Sequence, residues 1–147
     1  FEAAEASFEV LVKKILGTFK PFFEVKGVSV RSENIGGGKP TTVAEVKIVA
    51  KGKEHSESAE GDGPVNALDQ AFRKALKGSY PEIDSIHLTD YKVRVVNSQA
   101  GTAAKVRVFI EFQDDGKTWT TVGVHENIIE ASWKALVEAI EYKLLKS

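Results

Sequence analysis

Pro64-Val-Asn-Ala-Leu-Asp-Gln-Ala-Phe-Arg-Lys-Ala-Leu76 and Ile128-Ile-Glu-Ala-Ser-Trp-Lys-Ala-Leu-Val-Glu-Ala-Ile140 are two helix-like stretches that coincide when the sequence is shifted by 64 residues. The same shift brings further small residues and turn residues together: Ala67 with Ala131, Ala71 with Ala135, Ala75 with Ala139, and Gly52-Lys53 with Gly116-Lys117. A fixed internal period indicates a duplicated structural unit.

Three segments with strand-like alternation precede each helical stretch. In the first copy they lie near 23–30, 43–50 and 54–60, and in the second near 83–96, 102–113 and 118–125. Lys51-Gly52-Lys53 and Asp115-Gly116 predict tight hairpins between the second and third strands of each copy. The sequence therefore predicts an α+β fold of two βββα repeats related by a pseudo-twofold axis. Each repeat is expected to be an antiparallel three-stranded sheet with a helix on one face.

A further helix is predicted at residues 2–16, where Ala4, Phe8, Leu11 and Ile15 recur at helical spacing before Gly17. We assign 1–20 to the end of a linker from an upstream part, and 21–147 to the domain itself. Its repeats are expected at about 22–80 and 83–146. A chain that starts at Phe1 and contains no methionine is expected to be a piece of a longer protein.

The outer strands of each sheet are expected to leave apolar residues on the face that lacks the helix. We therefore expect the two sheets, or two chains, to pack against each other, with a dimer as the result.

The balance of charge argues against two classes of partner. The chain has 20 basic and 21 acidic residues, whereas nucleic-acid and membrane-surface binding need a basic face. No apolar run approaches the roughly 18 residues of a membrane span. Cysteine is absent, which excludes disulfides and thiolate chemistry and fits a cytoplasmic protein.

Residues for catalysis or metal binding are not evident in the sequence. His55, His87 and His125 lack metal-ligand spacing, and Asp114-Asp115 is accounted for by the hairpin turn. Neither a serine nucleophile elbow nor a phosphate loop is present. We expect no catalytic residue, no metal site and no cofactor in this chain.

The turn Gly61-Asp-Gly-Pro-Val-Asn-Ala67 joins a strand to a helix and is the strongest candidate for binding. Two glycines allow close approach of a ligand, and the helix N-terminus offers N–H groups to a carboxylate or phosphate. The second turn, Val124 to Ile129, is apolar instead. Such a pair suits an amphipathic ligand such as an amino-acid zwitterion; the alternative is that the glycines serve backbone geometry alone.

The chain resembles the C-terminal regulatory domain of the 2-isopropylmalate synthase and citramalate synthase family, and is most similar to the citramalate synthase branch. The matching stretches keep their order along the chain: Glu5-Ala-Ser-Phe8, Gly61-Asp-Gly-Pro-Val-Asn-Ala-Leu68, Leu88-Thr-Asp-Tyr-Lys-Val-Arg-Val95, Ala100-Gly-Thr-Ala-Ala104 and Thr121-Val-Gly-Val-His-Glu-Asn-Ile-Ile-Glu-Ala-Ser-Trp133.

The resemblance implies a homodimeric domain that binds a pathway end product, isoleucine or leucine, and inhibits an N-terminal catalytic barrel of the same chain. That barrel would use a divalent metal and acetyl-CoA. Carried over by position, the polar end of the effector would be held by Gly61, Gly63, Pro64, Val65 and Asn66. Its side chain would be surrounded by Tyr91, Thr102, Ala104, Val106, Asn127, Ile128 and Ile129. Two alternatives are a dimerisation module without effector binding and a free-standing small enzyme or carrier.

Overall fold

The duplicated βββα pattern is present in the computed structural model, which describes residues 4–33, 38, 40–96 and 104–147. The elements in chain order are α1 (Glu5–Ile15), β1 (Phe23–Glu33), β2 (Thr41–Ala50), β3 (Lys53–Gly61), α2 (Pro64–Leu76), β4 (Ile86–Val96), β5 (Lys105–Asp114), β6 (Lys117–His125) and α3 (Ile128–Lys146). The strands form two antiparallel sheets, in the orders β1-β2-β3 and β4-β5-β6. The predicted architecture of a leading helix and two βββα repeats is confirmed.

The predicted start of the fourth strand is wrong by three residues. Residues Pro81–Ser85 form a 3-10 turn, in which the N–H of Ile83 donates to the carbonyl of Tyr80 at 3.2 Å, and β4 begins at Ile86. Pro81 has a fixed φ and no N–H to give to a sheet, so it favours the start of a turn over a strand.

Both hairpins use the same backbone geometry. Lys51 and Gly52 have φ values of 49° and 78°, and Asp115 and Gly116 have 48° and 82°. Two successive left-handed residues match the right-handed twist of the flanking strands. The repeated turn signals therefore reflect a shared conformation in the two copies.

Two compact units make up the chain, Pro21–Asp84 and Phe1–Lys20 with Ser85–Ser147. In the first, α2 packs over β2 and β3. Its core contains the inward row of β2 and the apolar stripe of α2, all buried as the periodicity predicts: Ala44, Val46, Ile48, Ala50, Val65, Leu68, Phe72 and Leu76. Phe23 adds an edge-to-face contact with Phe72, with ring centroids 5.3 Å apart.

The second unit repeats this packing with α3 over β5 and β6. A Cβ built on Gly123 would overlap the backbone carbonyl of Ala131, so α3 lies against β6 at the closest distance that a glycine permits. The hydroxyl of Thr121 donates to the carbonyl of Ala135 at 2.7 Å inside this contact. Trp119 is buried against Phe112, as expected of a packing residue.

Helix α1 packs against α3 and the outer edge of β6 in this unit. The N–H of Val122 donates to the hydroxyl of Ser7 at 2.8 Å, which satisfies a backbone group of an edge strand. The buried residues of α1 are small, whereas Phe8, Leu11 and Ile15 are 53%, 37% and 74% exposed. The helix is present as predicted, but the predicted apolar stripe of Phe8, Leu11 and Ile15 is not the side that it buries.

Uncovered apolar residues lie on both sides of the second sheet, so the expected apolar residues on the side without the helix are present in part. Because α3 covers β5 and β6, Tyr91, Val93 and Val95 of β4 stay 40%, 38% and 67% exposed on the helix side. The opposite face, here called the helix-free face, is mainly polar and charged, with Asp90, Lys92, Arg94, Arg107, Glu111, Thr118 and Thr120. It also carries Phe109 and Val122, which are half-buried, and Val124, which is 39% exposed. The corresponding face of the first sheet is also largely polar, with Ser29, Arg31, Glu45, Lys47 and Glu54.

Within the described residues, no helix is both long enough and apolar enough to cross a membrane.

Replacing Gly123 by alanine tests the close contact between α3 and β6. We expect Gly123→Ala to lower the free energy of unfolding by about 1–3 kcal/mol, the usual range for overpacking, because the new methyl group meets the backbone of Ala131. Gly78→Ala is the control, since a Cβ there has no neighbour within 4 Å. Urea denaturation of the two variants measures the difference, and equal stabilities would contradict the contact.

Burial raises the pKa of the Glu138 and Glu141 carboxyls on α3, although Lys14 of α1 lies close to both. A carboxyl whose pKa is higher in the folded state than its usual 4.5 binds its proton more tightly when folded. The protonated carboxyl therefore favours the folded state. This contribution to stability is complete below the pKa of the unfolded chain and is lost as the pH rises through the pKa of the folded chain.

We expect Glu138→Gln to melt at a higher temperature than the original chain near pH 8, because it removes a charge from a partly buried position. The difference should disappear at about pH 4, where both side chains are neutral. Glu130→Gln, at an exposed position of the same helix, is the control. Melting temperatures across this pH range provide the measurement, and a constant difference would contradict the role of burial.

Candidate binding site at the strand-to-helix turns

The first strand-to-helix turn uses its two glycines differently. A Cβ on Gly61 would lie 2.5 Å from both the backbone nitrogen of Ala67 and Oδ1 of Asn66, so this position requires glycine for α2 to begin against the end of β3. Gly63 has extended backbone, with φ −165°, and a Cβ there would meet nothing within 4 Å. Gly61 is therefore needed for packing, whereas Gly63 keeps the approach to the helix N-terminus open.

The N-terminus of α2 has no internal cap. Gly63 is the N-cap residue and lacks a side chain, Pro64 lacks an N–H, and the first turn contains no acidic residue. Asn66 is exposed, and its Oδ1 accepts a hydrogen bond from Gln70 at 2.8 Å. The N–H groups of the first turn and the positive end of the helix dipole are therefore available to an anion.

The second turn is closed by its own side chains. Oδ1 of Asn127 accepts hydrogen bonds from the N–H groups of Ile129 and Glu130 at 2.7 and 3.2 Å. The N–H of Asn127 donates to Nδ1 of His125 at 2.9 Å, so Asn127 and Glu130 form only half of a capping box. Nδ1 acts as the acceptor here, which places the proton of a neutral His125 on Nε2. This turn therefore has less capacity for an anion than the first.

The candidate residues of the second unit gather at two places on the helix side of its sheet. Val106 lies directly opposite Val95 and His125, beside the start of α3. Tyr91 lies opposite Ile110, four residues back along β4 on the same face. The remaining candidates have different exposure: Ile128 is 41% exposed, Ile129 is half-buried and Ala104 is exposed just before β5. Thr102 lies outside the described residues.

The structure adds three residues that the sequence analysis missed. Val93 and Val95 continue the exposed row of Tyr91, and His125 orients Asn127. The alternation of apolar residues after the irregularity near Asp90 could have identified the valines. The role of His125 was not foreseeable, since its contact competes with the reciprocal glutamate of a capping box.

The carboxylate pair in the second hairpin has a structural role. Asp114 accepts a hydrogen bond from Lys143 at 2.6 Å, and this contact lowers the pKa of the Asp114 carboxyl. Asp115 occupies a left-handed position of the turn. In the part of the chain that the structure describes, no group of three histidine, aspartate or glutamate residues is placed to hold a metal ion.

Comparison with known proteins gives consistent matches over the whole chain. Residues 2–144 match the LeuA allosteric (dimerisation) domain family. Proteins named (R)-citramalate synthase from Synechocystis, Geobacter sulfurreducens and Aquifex aeolicus are 49%, 50% and 48% identical, over 98%, 100% and 99% of this chain. The chain spans 27%, 28% and 28% of the lengths of these three curated relatives.

Proposed function

Because the chain belongs to the LeuA allosteric (dimerisation) domain family, we propose that it is the effector-binding domain of a citramalate synthase. The whole protein would condense acetyl-CoA with pyruvate on a separate metal-dependent barrel, and isoleucine, the end product, would inhibit it. The relatives named (R)-citramalate synthase support this branch of the family over 2-isopropylmalate synthase and leucine.

The contrast between the two helix N-termini carries the proposal. At the start of α3 the carboxamide of Asn127 occupies two of the free N–H groups, whereas α2 starts at Gly63 without a side-chain cap. A helix N-terminus favours negative charge, and an amino acid brings a carboxylate. We therefore place the carboxylate of the effector at the first turn.

The second unit, taken by itself, carries partly exposed apolar residues at the start of α3 and in the neighbouring strand. Ile128 is 41% exposed, and Ile129 and Val106 are half-buried. Isoleucine and leucine have the same number of atoms and differ in the position of one branch. Discrimination by one methyl group is worth about 1–3 kcal/mol, so a comparison of the two ligands is informative.

Inhibition requires the effector to favour one conformation of the whole protein over another. Allosteric coupling energies are typically about 1–3 kcal/mol, which is smaller than the binding energy of a millimolar ligand. Binding to this domain alone would still stabilise its folded state. Thermal stabilisation therefore tests effector binding separately from inhibition.

We expect millimolar isoleucine to raise the melting temperature of the domain more than leucine or valine does. A ligand at about 100 times its dissociation constant contributes about 2.7 kcal/mol. Gly63→Val should abolish the rise and leave the domain folded, because the new side chain would stand in open space at the N-terminus of α2. The control is Gly78→Val. Gly78 follows α2, and a Cβ there would also meet nothing within 4 Å.

Each result of these melts has a distinct meaning. A larger rise with leucine would move the parent protein to 2-isopropylmalate synthase. Stabilisation that persists in Gly63→Val would contradict the position of the carboxylate. No rise with any of the three amino acids would contradict effector binding and favour a dimerisation module.

A second copy of the chain is the partner that the exposed row on β4 fits. The family is described as a dimerisation domain, and contiguous exposed apolar residues commonly mark an interface. Tyr91, Val93 and Val95 form such a row on a strand that α3 leaves uncovered. We propose that this row packs against the partner in a homodimer.

Val95→Asp should weaken the proposed dimer about tenfold or more, because it places a charge in an apolar contact. Val124→Asp is a matched control, since Val124 is also partly exposed but lies on the helix-free face. Light scattering during size-exclusion chromatography at decreasing concentrations gives the oligomeric state. Equal dissociation of the two variants would contradict this interface.

A further inference from the structure

A cavity of about 230 Å³ lies on the helix-free face of the second sheet, opposite the face that α3 covers. Its lining combines both signs of charge with one aromatic ring: Asp90, Lys92, Arg94, Phe109, Glu111 and Thr120. Pockets for drug-sized ligands begin at about 300 Å³, so this volume suits a small metabolite.

The charges around the cavity are separated by sign. Asp90 lies directly opposite Glu111 on the neighbouring strand, and Arg94 lies directly opposite Arg107. Lys92 and Phe109 form the row between these two like-charge pairs. Like charges directly opposite each other destabilise a sheet, whereas a surface that serves only solubility interleaves the two signs.

On the corresponding face of the first repeat, basic side chains form ion pairs with neighbouring carboxylates. Arg31, the counterpart of Arg94, pairs with Glu45 at 3.2 Å, and Lys47 pairs with Glu54 at 3.3 Å. In the second repeat, the residue at the position of Glu45 is Phe109. Arg94 therefore has no carboxylate at that position.

Among the residues that the structure describes, neither Lys92 nor Arg94 has a carboxylate within ion-pair distance. Both cations can therefore bind an external anion without breaking an existing ion pair.

A β-bulge holds the two carboxylates of the cavity in position. The register shifts between Leu88 and Asp90, and the extra residue, Thr89, donates from its hydroxyl to Oε1 of Glu111 at 2.9 Å. Oδ1 of Asp90 accepts from the N–H of Tyr91 at 2.8 Å. Each carboxylate is thus oriented through one oxygen and retains a second oxygen for a ligand. Bulges often re-aim side chains at binding sites.

We propose that this cavity binds a small zwitterion, namely an α-amino acid with an apolar side chain. The ammonium group lies between Asp90 and Glu111, where it relieves their repulsion. The carboxylate binds Lys92 and Arg94, and the side chain packs on Phe109. None of the residues that line this cavity belongs to the strand-to-helix turns, so the proposal stands whether or not those turns bind an effector.

The test is an NMR titration of the ¹⁵N-labelled chain with L-isoleucine, L-leucine, L-valine and L-phenylalanine in turn. We expect the amides of Phe109, Glu111 and Thr120 to shift and saturate with at least one of them. The N-acetyl derivative and the methyl ester of that amino acid, which lack the ammonium and carboxylate charges respectively, should each bind about fivefold more weakly. That factor is the upper end for one exposed ion pair.

Two variants and one matched control identify the site. Arg94→Gln should raise the dissociation constant about fivefold, and Phe109→Glu should abolish the shifts because it recreates the ion pair seen in the first repeat. Arg31→Gln, at the counterpart position in the first repeat, should leave the affinity unchanged. Loss of binding in Arg31→Gln, or its retention in Phe109→Glu, would overturn the assignment.

The same spectra separate this inference from the proposed function. Shifts at Val65 and Ile128 without shifts at Phe109, Glu111 and Thr120 would overturn the second site and leave effector binding at the turns intact. Shifts on the helix-free face alone would support the second site and contradict binding at the turns. An absence of shifts with all four amino acids would overturn both.

Discussion

Both units are organised around the close approach of a helix to its sheet. Gly123 has no space for a Cβ beneath the backbone of Ala131, and Gly61 has none beside Ala67. The buried alanines of α2 and α3 extend these contacts along the helices. Small residues at such contacts allow dense packing. They also determine where each helix begins, and therefore where its N-terminal N–H groups are placed.

Duplication produced two copies of one packing solution with different surfaces. The hairpins share their left-handed residues, and both helices lie over the second and third strands of their sheets. The first turn leaves its helix N-terminus uncapped, whereas Asn127 closes the second. The helix-free faces differ as well, since the ion pair of Arg31 and Glu45 has no counterpart at Arg94 and Phe109. Binding capacity therefore differs between copies whose cores are alike.

Incomplete coverage of a sheet creates surface that can be used for association. A helix of this width covers two strands of three, so the helix side of β4 is exposed and apolar. At the opposite edge of the sheet, the backbone of β6 needs hydrogen-bond partners. Helix α1 supplies one there, since the hydroxyl of Ser7 accepts from the N–H of Val122. In so doing α1 buries its small residues and leaves Phe8 and Ile15 exposed. Both features follow from the geometry of a three-stranded sheet, and both direct apolar side chains outward.

The order of the elements, the two hairpins and most of the buried rows can be read from the sequence alone. Helical and strand periodicity, with Lys51-Gly52 and Asp115-Gly116, depends on local backbone preference and on which face is apolar. Even the irregularity near Gly27 was predictable, because glycine within a strand often marks a bulge. The first turn was likewise recognisable from its glycines and proline.

Which apolar faces are covered, and how each polar group is satisfied, became evident from the three-dimensional structure. The structure separated the packing role of Gly61 from the open position of Gly63, and it showed that His125 takes the N–H of Asn127. It also left the apolar stripe of α1 exposed and brought like charges together at Arg94 and Arg107. These outcomes depend on strand register and helix placement, which are set by contacts between residues far apart in the chain and leave no local pattern in the sequence.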